Sequence, residues 1–426
     1  MNNRRGSFTV FLAIIFSTVL VLLFVVINTA ISDTVSASVN HFGRLWGTSI
    51  LAEYDRNLQQ RYSLYGFQGE PSMIAEKLSH YAEYSFQEKG WTDYDGAVCS
   101  LDGNNLTQPD ILKRQMEEAV IMMNRPDPMY RTSRSGQAAD GEKRDVPGGD
   151  SSFGSRTVTS RWILDNLPSK GKKDEADVSD AAAKIREGLS LDSIAGQAAV
   201  NQYILTYFRH YRSGNELGDT YFQNEIEYIL TGHADDERAR KKVKQKLVLL
   251  RNLLNLTYLY SSPEKREAAM ALAVLLTPGP EAALTQAALL ELWAFAEAEN
   301  DVKLLYADET VPLVKTDATW ALTLENAMNA PDGPIHPAVS EGYPYESYLR
   351  ILLSLIPEET RLLRVMDLIQ INMKFLYNGT FRLKDYYTGL SFTLKVNGKE
   401  YDFKEFYERT KKEDTESSVP EGKLSG

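Results

Sequence analysis

The run RRGSFTVFLAIIFSTVLVLLFVVINTAISD, residues 4–33, governs how the rest of this chain is read. After Arg4 and Arg5, Phe8–Ile31 carries no charge. As a helix at 1.5 Å per residue it is ~36 Å long, enough to cross a ~30 Å hydrocarbon core with some tilt. The flank beyond it offers Asp33 and no Lys or Arg before Arg44. The positive-inside bias therefore predicts a cytoplasmic N-terminus and an extracytoplasmic remainder, with Arg4 and Arg5 as the topology determinants. Ser36-Ala37-Ser38 has the small-x-small pattern of a signal-peptidase site, but a signal h-region of ~7–15 residues is shorter than this run, so a retained anchor is expected.

Beyond Ile31 the pattern stays helical. No proline occurs from Thr29 to Tyr65, and Val35, Val39, Phe42, Leu45 or Trp46, Ile50, Tyr54, Leu58 and Tyr62 recur at spacings of three and four. The spacing predicts one helix from Phe8 to Tyr65, half in the bilayer and half outside, with a bend near Gly43–Gly47 as the alternative. Those two glycines also suit a place where another backbone packs closely.

Further along, Pro71 and Pro109 stand where helices begin. Tyr94–Leu101 reads as a short strand, followed by a turn at Asp102–Asn105. Asn124–Thr157 and Pro168–Asp177 are rich in Pro, Gly, Ser and charge, and read as linkers around a packed piece at Val158–Leu167. Helices are expected over Asn201–Tyr211, Tyr221–Leu230 closed by Gly232, a segment opened by Asp235, Pro263–Leu276, and Glu281–Asn300 as a buried core helix rather than a second span. A helix pair broken at Pro357 covers Tyr348–Leu376. Ser391–Val396 and Lys399–Phe403 flank Asn397-Gly398, a type I′ hairpin signal. The expected organisation is thus an anchor at 1–31, a stalk helix and first α(+β) segment at 32–124, a flexible linker region at 125–177, a main helical ectodomain with the hairpin at 178–410, and a disordered tail at 411–426. The fold class is mainly α, with a long N-terminal transmembrane and stalk helix and a small β-hairpin or sheet.

Composition limits the function classes. With Arg4 and Arg5 set apart, the remaining Lys and Arg of 47 face 58 Asp and Glu. A surface of that sign gives no bulk attraction to nucleic acid or to anionic head groups. Cys99 is the single cysteine, which excludes an internal disulfide and a multi-cysteine metal site. His41, His80, His210, His233 and His336 are scattered, and no G-x-S-x-G elbow or phosphate loop occurs. Asp93-Tyr94-Asp95-Gly96 lacks the downstream ligands of a calcium loop and reads as a turn. Glu225 and Glu227 are the tightest acidic pair, but two apart on a helix they point to different sides, which favours salt-bridging or capping over glycosidase chemistry. Tyr62/Tyr65/Phe67 and Tyr343/Tyr345/Tyr348 suit helix seams, or alternatively interface anchors. No catalytic, cofactor-binding or metal residues are therefore expected.

Gly6-Ser7-Phe8-Thr9-Val10-Phe11-Leu12 ahead of an apolar helix resembles the start of pilin-like proteins. That likeness implies a processing site between Gly6 and Ser7. Pilins place a glutamate at the fifth position after cleavage, where this chain has Phe11. Leu51–Arg56, Tyr62–Gly66, Glu225–Gly232, Leu250-Arg251-Asn252 through Asn255, Ser262–Arg266, Val311-Pro312-Leu313 and Leu363–Asp367 extend the likeness. Together they resemble an uncharacterised family of membrane-anchored, TadE/TadG-like proteins of Gram-positive bacteria associated with tight-adherence (Flp-type) pili. The resemblance implies a cell-surface protein acting through contacts with protein partners in a pilus or secretion assembly, with the bilayer as its other partner. The family carries no established activity, and with no catalytic motif in the sequence neither an enzyme nor a cofactor is expected. The alternative is a membrane-tethered envelope sensor or envelope-acting enzyme.

Overall fold

The computed structural model describes residues 4–86, 92–123, 162–169, 178–187, 198–214, 218–329 and 332–407. The expected tail at 411–426 and most of the expected linker at 125–177 lie outside the described residues. The described chain is mainly helical, with one long apolar helix at its start and small antiparallel sheets. It divides into two compact units: residues 1–59, 65–108 and 384–426 in the first, and 60–64 and 109–383 in the second.

In the first unit, α1 spans Arg4–Leu51 and α2 begins at Arg56 (Arg56–Tyr62). The expected helix through Tyr65 is therefore interrupted. Asp55 causes the break: its carboxylate accepts from the N–H groups of Asn57 (2.9 Å) and Leu58 (3.0 Å), an N-cap that competes with helix continuation. The apolar spacing runs on across the break, which is why periodicity alone missed it. The helix is not divided in two at Gly43–Gly47, both of which lie inside α1.

The remaining elements of this unit are β1 (Phe67–Gln68), α3 (Pro71–Phe86), β2 (Tyr94–Ser100), β3 (Tyr386–Tyr387), β4 (Gly389–Val396) and β5 (Lys399–Phe406). β2, β4 and β5 form an antiparallel sheet in the order β2-β4-β5. Asn397 (φ 52°) and Gly398 (φ 70°) turn the β4–β5 hairpin with the two positive φ angles of a type I′ turn. The Asp93–Gly96 segment meets this turn, Asp95 accepting from the Gly398 N–H at 3.0 Å. Along β4, Leu390, Phe392, Leu394 and Val396 alternate inward with a period of two. They pack with Val35, Val39, Trp46 and Ile50 of α1, with Ile74 and Leu78 of α3, and with Phe403 of β5.

The second unit is helical: α4 (Pro109–Met123), α5 (Val178–Arg186), α6 (Ala198–Tyr207), α7 (Glu225–Thr231), α8 (Asp236–Ser261), α9 (Pro263–Leu276), α10 (Ala282–Tyr306), α11 (Leu324–Asn329), α12 (Tyr345–Ser354) and α13 (Glu358–Leu376). The helix expected from Tyr221 starts at Glu225, because Asp236 takes the N–H groups of Gln223 (3.0 Å) and Asn224 (2.9 Å) and holds that segment outside a helix. Gly232, with φ 69°, closes α7 in the left-handed conformation. α10 is a core helix, as expected, burying Leu289, Leu290, Trp293 and Ala294 among others. α13 is buried nearly all round and forms the centre of this unit.

Candidate functional site

Two features stand out: the apolar half of α1, and a set of buried charges in the second unit. Between Val10 and Ile27 of α1, large apolar side chains are 45–68 % exposed. Ile31 is the first described side chain of α1 to pack on the protein, and Val35 is buried. Within the exposed part, Ser17 donates to the Ile14 carbonyl (2.9 Å), Thr18 to that of Ile15 (2.8 Å) and Thr29 to that of Val25 (2.9 Å). These hydroxyls thus find acceptors on their own helix, a requirement inside hydrocarbon. This is the one described helix long and apolar enough to cross a membrane. The backbone of α1 already includes Arg4, Arg5, Gly6, Ser7 and Phe8. The processing site and both topology determinants are therefore helical in backbone, whereas their side chains lie outside what is described.

Four of the segments that carry the family resemblance, at 225–232, 250–255, 311–313 and 363–367, take part in buried polar networks. Arg251 of α8 and Asp301 of α10 pair at 2.9 Å with neither side chain exposed. Lys315 reaches both Asp301 and Glu297 at 2.7 Å. The Arg251 guanidinium also donates to the carbonyls of Pro312 (2.8 Å) and Leu313 (2.9 Å) and to Asn255 Oδ1 (3.0 Å). Two cations balance two carboxylates, which is the condition under which such charges survive burial. Burial and the Asp301 charge push the Glu297 carboxyl up, while Lys315 opposes them. Glu297 in turn accepts from the N–H groups of Ala321 and Leu322, both at 2.9 Å, and so holds the 315–322 loop.

A second cluster surrounds α7. Glu225 and Glu227 are both buried and lean to different partners. Glu225 accepts from the Arg209 N–H (2.8 Å) and from Asn372 Nδ2 (2.5 Å); Glu227 accepts from the Tyr211 N–H (2.9 Å) and the Tyr345 hydroxyl (2.8 Å). With the Ile226 N–H donating to the Arg209 carbonyl at 2.9 Å, the three residues bracket the Arg209–Tyr211 backbone. Burial pushes both carboxyls up to about 7, against the hydrogen bonds that favour their ions. Burial also pushes His210 down to about 4. The pair therefore points apart, as expected, but acts as a clamp on a loop rather than as a salt bridge.

On α13, Asp367 accepts from the Ser169 N–H (2.9 Å) and the Tyr228 hydroxyl (2.8 Å), and Arg364 donates to the Ile229 carbonyl (2.8 Å). Tyr62 stacks on Phe208, and the Tyr348 hydroxyl donates to the Val311 carbonyl at 3.0 Å, so these aromatics line helix seams. Asp301, Glu297 and Lys315 were not singled out from the sequence. The signal was present: Glu297 and Asp301 are four apart, on the same stripe as Trp293, Ala294, Ala298 and Val302. Among the described residues no group of three or more His, Cys, Asp or Glu is placed to hold a metal ion.

A family described as "Family of unknown function (DUF5702)" matches residues 154–398, more than half of the chain. No curated protein and no solved structure matches.

Proposed function

This chain belongs to the family of unknown function DUF5702, and from its own architecture we propose that it is a single-pass, membrane-anchored scaffold working through protein–protein contacts at the cell surface. The observation that carries this reading is α1, lipid-compatible on every side from Val10 to Ile27 and packed on protein from Ile31 onward. Arg4 and Arg5 favour a cytoplasmic N-terminus, with the chain beyond Ile31 on the other side. The assembly is a tight-adherence-type pilus or secretion system, on the strength of the pilin-like start at Gly6-Ser7 and the TadE/TadG-like resemblance. The role is structural rather than enzymatic, because the buried charges of the second unit are employed in tying helices and loops together. The near-neutral carboxyls of Glu225 and Glu227 favour the second reading, a tethered envelope sensor or enzyme.

The N-terminus of the protein recovered from cell membranes, read by intact mass and terminal sequencing, tests the proposal. A chain beginning at Ser7 is the outcome for a processed, fibre-incorporated subunit. A chain retaining Arg4 and Arg5 is the outcome for a permanent anchor with an assembly role. A chain beginning near Val39 would mean a secreted protein and would overturn the anchor.

A further inference from the structure

At the start of α9 the side chain of Lys265 is enclosed by three aromatic rings. Its ammonium lies 5.2 Å from the ring centroid of Trp320, 5.3 Å from that of Trp293 and 6.0 Å from that of Tyr258. Asp317 stands at the solvent edge of the box, with a carboxylate oxygen 3.6 Å from the ammonium and accepting the Tyr258 hydroxyl at 2.5 Å. Trp293 and Trp320 stand edge to face at 90°, and Tyr258 stacks on Trp320. Both indole N–H groups donate to one acceptor, the Leu322 carbonyl, at 2.9 and 2.7 Å. The Glu297 carboxylate holds the backbone N–H of that same Leu322, so the buried ion network fixes the residue to which both indoles are tied.

This arrangement is better matched to a cation without N–H groups than to a lysine. Three π faces attract positive charge within ~6 Å and ask for no hydrogen-bond geometry. The one carboxylate lies beyond hydrogen-bonding distance of the ammonium. Lys265 enters on a flexible stem from the first turn of α9, its side chain 15 % exposed, and Asp317 is 71 % exposed, so the box opens to solvent. We propose that the Trp293/Trp320/Tyr258/Asp317 box is a binding site for a quaternary ammonium group, with Lys265 as an internal plug that the ligand displaces.

Choline titrated into the full chain in detergent micelles, followed by tryptophan fluorescence, tests the site. A tethered lysine competes at an effective concentration of mM order, so Lys265→Ala should bind choline roughly tenfold or more tightly than the wild type. Asp317→Asn should weaken that binding several-fold, and the neutral isostere 3,3-dimethyl-1-butanol should give no saturable response. A stronger response to glycerophosphocholine than to choline would assign the ligand to a lipid head group, and the reverse to a free quaternary ammonium compound. On the wild type, choline should accelerate acetylation of Lys265 several-fold, read by mass spectrometry, as the plug leaves the box. A folded Lys265→Ala variant that ignores choline, or binds the neutral isostere equally well, overturns the proposal. If that variant does not fold, an acetylation rate unchanged by choline overturns it alone.

Discussion

Arg251 and Asp301 meet at 2.9 Å where neither side chain is exposed, and Lys315 and Glu297 complete the quartet. Burying four charges is tolerable only while each has its partners, so removing one strands the others. Arg251→Met should therefore destabilise the second unit by about 3–5 kcal/mol, measured as the loss in free energy of chemical unfolding, despite the added apolar surface. A loss below about 1 kcal/mol would show that water reaches the quartet. Arg251 was legible in the sequence only as part of the Leu250-Arg251-Asn252 segment that carries the family resemblance. Its role was not, because the partners lie 50 and 62 residues away along the chain. The same holds for Glu225 and Glu227, whose spacing is local but whose acceptor duty toward Arg209 and Tyr211 appears only when the loop is folded back onto α7.

At the scale of elements, the two glycines of α1 decide how closely the sheet approaches. A Cβ at Gly43 would lie 2.2–2.7 Å from the ring of Phe403, and one at Gly47 would lie 2.6 Å from Glu405 Cγ and 3.2 Å from Phe392. Gly43→Ala gains about 1 kcal/mol of helix propensity. It also drives a methyl into a buried ring, an overpacking that costs about 1–3 kcal/mol. The net expectation is a lower Tm for the first unit by differential scanning calorimetry, whereas alanine at an exposed position such as Ser49 should leave it unchanged or raise it. Close packing at Gly43 and Gly47 was readable from their spacing, and so were the starts at Pro71, Pro109 and Pro263 and the turn at Asn397-Gly398, because each depends on a residue's own φ or missing N–H. The end of α1 was not readable, since the apolar stripe continues to Tyr62 while the Asp55 carboxylate caps a new helix start.

For the molecule as a whole, buried acids set the pH dependence. Glu225 and Glu227 titrate near 7 when folded and near 4.5 when unfolded, so the folded state binds more protons between those values and stability falls as pH rises across them. The upper bound is about 3 kcal/mol for each carboxyl. Burial shifts Asp236 and Asp367 in the same direction. His210 acts oppositely: held near 4 when folded against 6.5 unfolded, it removes stability as pH falls through that window. The two carboxyls outweigh the one imidazole, so the unfolding midpoint in denaturant should drop between pH 5.5 and pH 7.5, and Glu225→Gln/Glu227→Gln should flatten the profile. An unchanged slope in that double variant would place the titrating groups elsewhere. The membrane helix, the mainly helical class and the hairpin follow from runs and periods within a few turns of chain, because hydrocarbon thickness, helical pitch and turn geometry act on neighbours in sequence. The quartet around Arg251, the clamp on Arg209–Tyr211 and the aromatic box around Lys265 required the folded molecule. A buried charge has no local signature beyond its identity, and what makes it tolerable is the partner that long-range packing brings to it.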